Sequence, residues 1–125
     1  MRLGDTMTIT IYHNPRCSKS RKTLEIIRDS GIEPCIVDYL REPPAAATIV
    51  HIAEFLGKPV TELLRRGEQA FRTARDLPDL DDDALLAAWI ETHPEVLERP
   101  IVVDFERAAA VIGRPPENVV ELLHP

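Results

Sequence analysis

One cysteine lies in a segment whose residue types are suited to thiol chemistry. Cys17 is part of residues 13–21 (HNPRCSKSR), between a run of β-forming residues and a run with helical periodicity. The first turn of a helix leaves backbone N–H groups without partners, and with the helix dipole they favour negative charge. Because the thiolate is the nucleophilic form, such a place lowers a cysteine pKa below its free value of about 8.5. The pattern predicts a reactive Cys17.

Basic and polar neighbours strengthen this prediction. Arg16, Lys19 and Arg21 are cations close in sequence to the sulfur. Ser20 lies about one helical turn beyond Cys17, where its hydroxyl can hydrogen-bond the thiolate. The alternative interpretation is that Cys17 is an inert, small hydrophobic residue at a helix start, since free cysteines are often buried. A polar and cationic segment is a poor place for such a residue, which favours the reactive interpretation.

Spacing excludes two well-defined classes of thiol chemistry. Cysteine phosphatases place an arginine six residues after the nucleophile, and here that residue is Thr23. Dithiol redox proteins carry a C-x-x-C pair, and here Ser20 takes the place of the second cysteine. The other cysteine, Cys35, is too distant for a disulfide framework or a zinc site, and we expect it in the core. The histidines show no metal-like spacing, so the sequence predicts no metal and chemistry by Cys17 alone.

Composition sets the class of protein. The chain has 125 residues with 44% hydrophobic and 29% charged residues, values typical of one soluble domain with one core. No apolar run approaches the roughly 18–20 residues of a membrane span. Residues 1–7 lack the features of a signal peptide and are expected to be a flexible leader, which places the protein in the cytoplasm. A net charge of -6 argues against nucleic acid as a partner, although a few arginines can still hold an anion locally.

The elements that must position Cys17 follow a β-α-β order. Residues 8–12 alternate and are rich in β-forming types, which predicts a strand. Residues 18–30 carry an apolar stripe and predict a helix that Gly31 ends. Residues 35–40 (CIVDYL) predict a second strand. Two strands joined by a crossover helix form a parallel, right-handed βαβ unit.

The rest of the chain predicts a helical insertion followed by two strands and a last helix. The predicted segments are helices at 49–57, 60–64 and 81–90, strands at 100–103 and about 108–112, and a helix from Pro115 to Leu123. Trp89 is expected to anchor the core of the insertion. The predicted fold is α/β, a thioredoxin/glutaredoxin-like βαβ…ββα topology. We expect a single domain at 8–125 with the insertion at about 45–95.

Four segments together resemble a known family. They are residues 13–21, 63–65 (LLR), 98–103 (ERPIVV) and 112–115 (IGRP). Their order and spacing are similar to those of the glutaredoxin-coupled arsenate reductase (ArsC) family, and the resemblance runs from about Thr8 to about Leu123. The short C-terminal part and the basic residues around Cys17 resemble a short subgroup of that family.

The resemblance implies roles for individual residues. Cys17 matches the catalytic cysteine, which attacks arsenate and forms a thiolate–arsenic adduct. His13 and Ser20 match residues that help to keep this cysteine ionised. Three arginines match the residues that surround the oxyanion: Arg65, Arg99 and Arg114. The planar, permanently charged guanidinium suits tetrahedral oxyanions, so this part of the resemblance is also chemically consistent.

The resemblance also implies the partners. Glutathione and glutaredoxin supply the electrons, arsenite is released, and no cofactor is bound. We expect a monomer that binds neither nucleic acid nor a membrane. Arg16, Lys19, Arg21 and Pro100 are expected to support the site, with a cis bond between Arg99 and Pro100 as in thioredoxin-like folds.

Two alternatives remain open from the sequence. The protein could reduce another substrate with glutathione, since its extra cations around Cys17 depart from well-studied arsenate reductases. It could also be a non-catalytic redox sensor or interaction protein like the Spx-type regulators of the same broad family. Those regulators commonly use a C-x-x-C pair, which Cys17 and Ser20 do not make, so the sequence favours the enzyme.

Overall fold

The computed structural model describes residues 9–123. The expected leader at 1–7, the expected strand residue Thr8 and the last two residues lie outside this range. In chain order the helices and strands are β1 (Ile9–His13), α1 (Ser18–Asp29), β2 (Cys35–Asp38), α2 (Ala46–Leu56), α3 (Gln69–Arg72), α4 (Asp83–Thr92), β3 (Ile101–Asp104), β4 (Ala109–Ile112) and α5 (Val120–Leu123). Short 3₁₀ turns occur at Val60–Leu63, Pro94–Val96 and Pro116–Val119.

The chain divides into two compact units, and the first contains a four-stranded sheet. This unit comprises the described residues up to Tyr39 and those from Arg99 onward. The strand order is β2-β1-β3-β4. β1 pairs parallel with β2, and β3 pairs antiparallel with β1 and with β4. This arrangement confirms the predicted thioredoxin-like βαβ…ββα topology.

One face of this sheet forms a core with the helices of the same unit. Ile9 and Ile11 of β1 alternate inward and lie beside Val102 of β3. Ile27 of α1 and Leu122 of α5 pack against them, and all five residues are buried. The alternation in the strands and the apolar stripe of α1 produce this core. Packing of α1 against β1 fixes where the helix begins, which is where Cys17 lies.

The second unit, Leu40–Glu98, is mainly helical and contains the range predicted as an insertion. Helices α2 and α4 pack against each other, and Ile52 of α2 and Leu86 of α4 are both buried. Trp89 is buried as predicted, and its indole N–H donates to Asp76 at 3.0 Å. A backbone bridge joins Leu64 to Leu97 within this unit. Whether the two units act as a single domain stays a prediction.

Three local expectations need correction. Cys35 is exposed rather than part of the core, because it begins β2, which is an edge strand of the sheet. Pro115 is not the first residue of the last helical segment, since the turn starts at Pro116. The helix expected at 81–90 begins at Asp83 instead. Asp82 is its N-cap residue, and its side chain accepts a hydrogen bond from the Leu85 N–H at 3.0 Å. Helix α3 was not expected because four residues are too few to show a period.

None of the helices within residues 9–123 is long and apolar enough to cross a membrane.

We expect the core contact of α1 to dominate the stability of the first unit. Ile27 is 0% exposed, so Ile27→Ala should lower the free energy of unfolding by about 2–5 kcal/mol because it removes buried methyl groups and leaves a cavity. Ile36→Ala is the matched control, because Ile36 is 40% exposed and its truncation should cost less than about 1 kcal/mol. Urea unfolding followed by circular dichroism measures both. Equal losses in the two variants would contradict this assignment of the core.

Candidate active site

The loop after β1 brings Cys17 to the start of α1. The Cys17 N–H donates to the Asn14 carbonyl at 3.0 Å, and the Asn14 side-chain oxygen accepts from the Arg16 N–H at 2.9 Å. Cys17 is the N-cap residue, with extended backbone (φ -92°, ψ 122°), and its carbonyl accepts from the Arg21 N–H at 3.0 Å. The sulfur of Cys17 therefore occupies the place at which the side chain of an N-cap residue usually accepts hydrogen bonds from the N–H groups of the first turn. Asn14 was not assigned a role from the sequence, although Asn before Pro is a frequent turn signal.

The surroundings of the sulfur favour the thiolate. Burial is the largest single influence on the Cys17 thiol and raises its pKa, but the N–H groups of Ser20 and Lys19 and the guanidinium of Arg99 together lower it by more. The net pKa lies below the ordinary value. The Cys17 side chain does not form a capping hydrogen bond with the helix. The N–H groups of the first turn nevertheless favour a negative charge on the sulfur, because their dipoles are positive at this end of the helix.

His13 at the end of β1 contacts Ser20 in the first turn of α1. The His13 Nδ1 and the Ser20 hydroxyl oxygen are 2.6 Å apart, and the Asn14 N–H donates to the same hydroxyl oxygen at 3.0 Å. Both His13 and Ser20 are buried. The hydroxyl of Ser20 is therefore engaged with the loop, whereas its backbone N–H acts on Cys17. The sequence predicts that the Ser20 hydroxyl contacts the thiolate, whereas in the structure the backbone N–H of Ser20 acts on Cys17.

His13 is not a positive charge beside the thiol at neutral pH. Burial lowers the pKa of the imidazole, and Arg28 and Arg21 lower it further, while Asp38 raises it. The net pKa is below the ordinary value of about 6.5. Asp38 lies directly opposite His13 in the pairing of β1 with β2. Sequence reasoning did not single out Asp38, because a carboxylate at a strand end shows no partner until the strand register is known.

The three cations near Cys17 in sequence are exposed. They are Arg16, Lys19 and Arg21. Arg21 donates from Nη1 to the Pro15 carbonyl at 3.0 Å, so it holds the loop that precedes Cys17. The guanidinium that acts on the thiol is that of Arg99, which is distant in sequence.

Arg99 and Arg114 belong to the same unit as Cys17 and lie close together. The Arg99–Pro100 bond is cis, as predicted, and the Arg114–Pro115 bond is also cis. Arg114 donates from Nη1 to the Arg99 carbonyl at 3.2 Å. The Arg114 carbonyl in turn accepts from the Asn118 amide at 3.2 Å. The structure thus brings the Arg99 guanidinium to the Cys17 thiol and the Arg114 guanidinium to the Arg99 carbonyl.

Arg65 belongs to the second unit and is paired with two carboxylates there. Its Nη1 donates to Glu98 at 3.2 Å, and its Nε lies 3.3 Å from Glu68. The Arg65 N–H donates to the Val96 carbonyl at 2.7 Å, which fixes the backbone at this point. The arginine therefore already has its charge balanced within its own unit.

Within residues 9–123 no three His, Cys, Asp or Glu side chains are grouped so that they could hold a metal ion.

Comparison with known proteins identifies the family. The profile of the ArsC family matches residues 12–122. The chain belongs to the ArsC family. The match includes every residue that the sequence predicted for the site, from His13 to Arg114.

Individual ArsC relatives match over almost their whole length. An uncharacterised protein of Escherichia coli K12, YfgD, is 43% identical over 94% of this chain and 98% of its own. An arsenate reductase of Haemophilus influenzae is 40% identical over 94% of this chain and 100% of its own. The solved structure of an arsenate reductase from Vibrio cholerae has a TM-score of 0.78 and 39% identity, and the match covers 93% of this chain and 98% of that one.

The pKa of Cys17 can be measured by alkylation. In a Cys35→Ser background only Cys17 reacts with iodoacetamide, and the rate follows the thiolate fraction. Because the pKa is lowered, the rate should rise at lower pH than that of free cysteine, whose pKa is about 8.5. Arg99→Ala should move the rise to higher pH, since it removes a hydrogen bond and a charge that favour the thiolate. Arg72→Ala, an exposed arginine of α3, is the control; an unmoved Arg99→Ala profile would contradict the assignment.

Proposed function

We propose that this member of the ArsC family is an arsenate reductase that uses Cys17 as its nucleophile and takes electrons from glutathione and glutaredoxin. The observation that carries the proposal is the thiol of Cys17 at the start of α1, with its pKa lowered by N–H groups and by Arg99. Relatives about 40% identical over nearly the whole chain are named arsenate reductases, which supports the choice of substrate.

The first step joins the sulfur to arsenic. The thiol of Cys17 and arsenate condense, an S–As bond forms, and one arsenate oxygen leaves as water. Arsenate is an anion with tetrahedral oxygens, so it needs positive charge and N–H donors close to the nucleophile. The first turn of α1 supplies the N–H groups. Arg99 supplies a charge next to the sulfur. Arg114, which donates to the Arg99 carbonyl, is proposed to supply a second charge to the oxyanion on the strength of the family resemblance.

The second step transfers two electrons to arsenic. The thiol of glutathione attacks the sulfur of Cys17, so that an S–S bond forms and the S–As bond breaks. The electron pair of the S–As bond stays with arsenic, which leaves as arsenite with the proton of glutathione. A second glutathione, with glutaredoxin as catalyst, displaces Cys17 from the mixed disulfide and regenerates its thiol. The net reaction consumes two molecules of glutathione and yields arsenite, oxidised glutathione and water.

We assign His13 and Ser20 a positioning role in this reaction. His13 has a lowered pKa and is neutral at pH 7, so it does not stabilise the thiolate as a cation. Its contact with the Ser20 hydroxyl, together with the Asn14 N–H, holds the first turn of α1. That turn presents the Ser20 N–H to Cys17. The pair therefore keeps the cysteine ionised by fixing a backbone donor.

The three arginines are expected to contribute unequally. Arg99 acts directly on the Cys17 thiol, so it should matter most to both the pKa and anion binding. Arg65 is already balanced by Glu68 and Glu98, and its part in binding the oxyanion rests on the family resemblance. Recruiting Arg65 for an anion means weakening those two ion pairs, which reduces what it can contribute. Arg16, Lys19 and Arg21 are exposed and would support the site through the general field of positive charge.

The proposal includes a cytoplasmic, monomeric enzyme. Glutathione keeps thiols reduced in the cytosol, so a single cysteine can be returned to its thiol there after each turnover. No bound cofactor is needed, because the reductant arrives as a second substrate.

Arsenite formation from arsenate with glutathione and glutaredoxin tests the function. Cys17→Ser should lose at least about 10³-fold in kcat/KM because it removes the nucleophile. Arg99→Ala should lose about 10²–10³-fold, since it removes a charge beside the reacting atoms. Cys35→Ser is the matched control and should keep full activity, because Cys35 is an exposed residue on an edge strand.

The outcomes separate the candidates. Full activity of Cys17→Ser would overturn the proposed nucleophile. No arsenite from the unaltered protein, with a low-pKa Cys17 confirmed by alkylation, would remove arsenate as the substrate and favour glutathione-dependent reduction of another compound.

A further inference from the structure

Gly113 lies where there is no room for a side chain. The residue is buried, and a Cβ atom there would lie 2.5 Å from the Thr23 hydroxyl oxygen, 3.1 Å from the Thr23 methyl carbon and 2.9 Å from Pro100 Cγ. Its φ is not in the left-handed region, unlike that of Gly31 and Gly57. Glycine is therefore required here for space rather than for backbone conformation.

The two residues that crowd Gly113 belong to different parts of the site. Thr23 is fully buried on α1, and its hydroxyl donates to the Lys19 carbonyl at 2.8 Å. Lys19 is also one of the residues whose N–H lowers the pKa of Cys17. Thr23 is thus connected to the first turn of α1 by this hydrogen bond.

Pro100 connects the same contact to the arginine. It follows Arg99 across a cis bond and is buried. The Gly113 N–H donates to the Pro100 carbonyl at 2.9 Å. The next residue along, Arg114, donates to the Arg99 carbonyl at 3.2 Å. The segments that carry Cys17, Arg99 and Arg114 therefore meet at Gly113.

We propose that Gly113 is a positioning residue: its missing side chain lets Thr23 and Pro100 close on the same point, and this sets Arg99 beside the sulfur of Cys17. Gly113 offers no group to a substrate, so its effect passes through Pro100 and Arg99. The proposal deepens the proposed reductase function and rests on it for any effect on arsenate turnover. Its effect on the thiol of Cys17 does not depend on arsenate.

An alanine at 113 must displace one of its neighbours. Real Cβ atoms essentially never approach other heavy atoms within 3.0 Å. Thr23 is held within α1 by its hydrogen bond to Lys19, so the displacement falls largely on Pro100 and with it on Arg99. A hydrogen bond between a guanidinium and a sulfur weakens steeply as its distance and angle change.

The test compares Gly113→Ala, Thr23→Ala and the double variant, all in a Cys35→Ser background. Alkylation of Cys17 as a function of pH is the first readout, and arsenate kinetics are the second. Gly113→Ala should raise the pKa of Cys17 and lower kcat/KM for arsenate by about 10- to 100-fold, as expected when a group is displaced by up to an ångström. Thr23→Ala removes two of the three close contacts, so the pKa of the double variant should lie between those of Gly113→Ala and Thr23→Ala.

Gly67→Ala is the matched control for glycine replacement. A Cβ at Gly67 meets nothing within 4 Å, and its φ is not in the left-handed region. This variant should leave the alkylation profile of Cys17 unchanged. A shift equal to that of Gly113→Ala would show a general effect of losing a glycine and would overturn the proposal.

The remaining outcomes are decisive as well. A folded Gly113→Ala with the original pKa of Cys17, or a raised pKa that Thr23→Ala does not reduce, overturns the proposal. If Gly113→Ala does not fold, the double variant is compared with Thr23→Ala. This comparison isolates the contact between residue 113 and Pro100. A higher pKa of Cys17 in the double variant supports the proposal, and an equal pKa overturns it. Failure of both to fold makes Gly113 a folding requirement alone and also overturns it. If the unaltered protein does not reduce arsenate, only the proposed function fails, because the alkylation readout still applies.

Discussion

The sulfur of Cys17 lies at the positive end of α1 with the guanidinium of Arg99 beside it, and the chemistry of the site depends on this arrangement. Burial alone would hold the cysteine as a neutral thiol, because it raises the pKa. The N–H groups of Lys19 and Ser20 and the charge of Arg99 outweigh burial. These donors are part of the folded chain, so they need no rearrangement when negative charge develops. In the proposed reaction, the nucleophile and the start of the anion site come from the same few groups.

The local charge of the site differs from that of the chain as a whole. The sequence carries a net charge of -6, yet the residues nearest the sulfur are backbone donors and an arginine. Burial lowers the pKa of His13, and Arg28 and Arg21 lower it further against the opposing effect of Asp38, so the charged imidazole is disfavoured. In the proposed reaction the contribution of His13 is positional, through its contact with the Ser20 hydroxyl. A few cationic groups placed close together can hold an oxyanion against an acidic exterior.

Close packing converts these charges into a fixed geometry. The core of Ile9, Ile11 and Ile27 fixes α1 on the sheet. The contact of Gly113 with Thr23 and Pro100 ties the start of β3 and the end of β4 to that helix. Tight interiors transmit displacements of a few tenths of an ångström, because they have no free volume to absorb them. If Gly113 has the positioning role proposed above, a residue without any reactive group controls the reactivity of Cys17 through this packing.

Much of the first unit was predictable because its signals are local. Alternation in β1, the stripe of α1 and the place of Cys17 between them are properties of neighbouring residues. Together with the patterns of residues 35–40 and 100–123, they predicted the βαβ…ββα fold correctly. The resemblance of four separate segments to the ArsC family indicated the arginines and the cis bond at Pro100. Helix α3 was missed because one turn has no visible period.

Other features depended on residues far apart in the sequence. The exposure of Cys35 follows from the edge position of β2, which the hydrophobicity of that strand does not reveal. The sequence alone predicted Cys17 as the nucleophile, since a cysteine before a helix is recognisable from its neighbours, and this role stays a prediction. Only the tertiary structure showed which groups lower the pKa of Cys17, that His13 contacts Ser20 and has a lowered pKa, and that a side chain at Gly113 would collide with Thr23 and Pro100. These depend on distances between segments up to about a hundred residues apart, and burial and contact at such separations are set by packing rather than by local pattern.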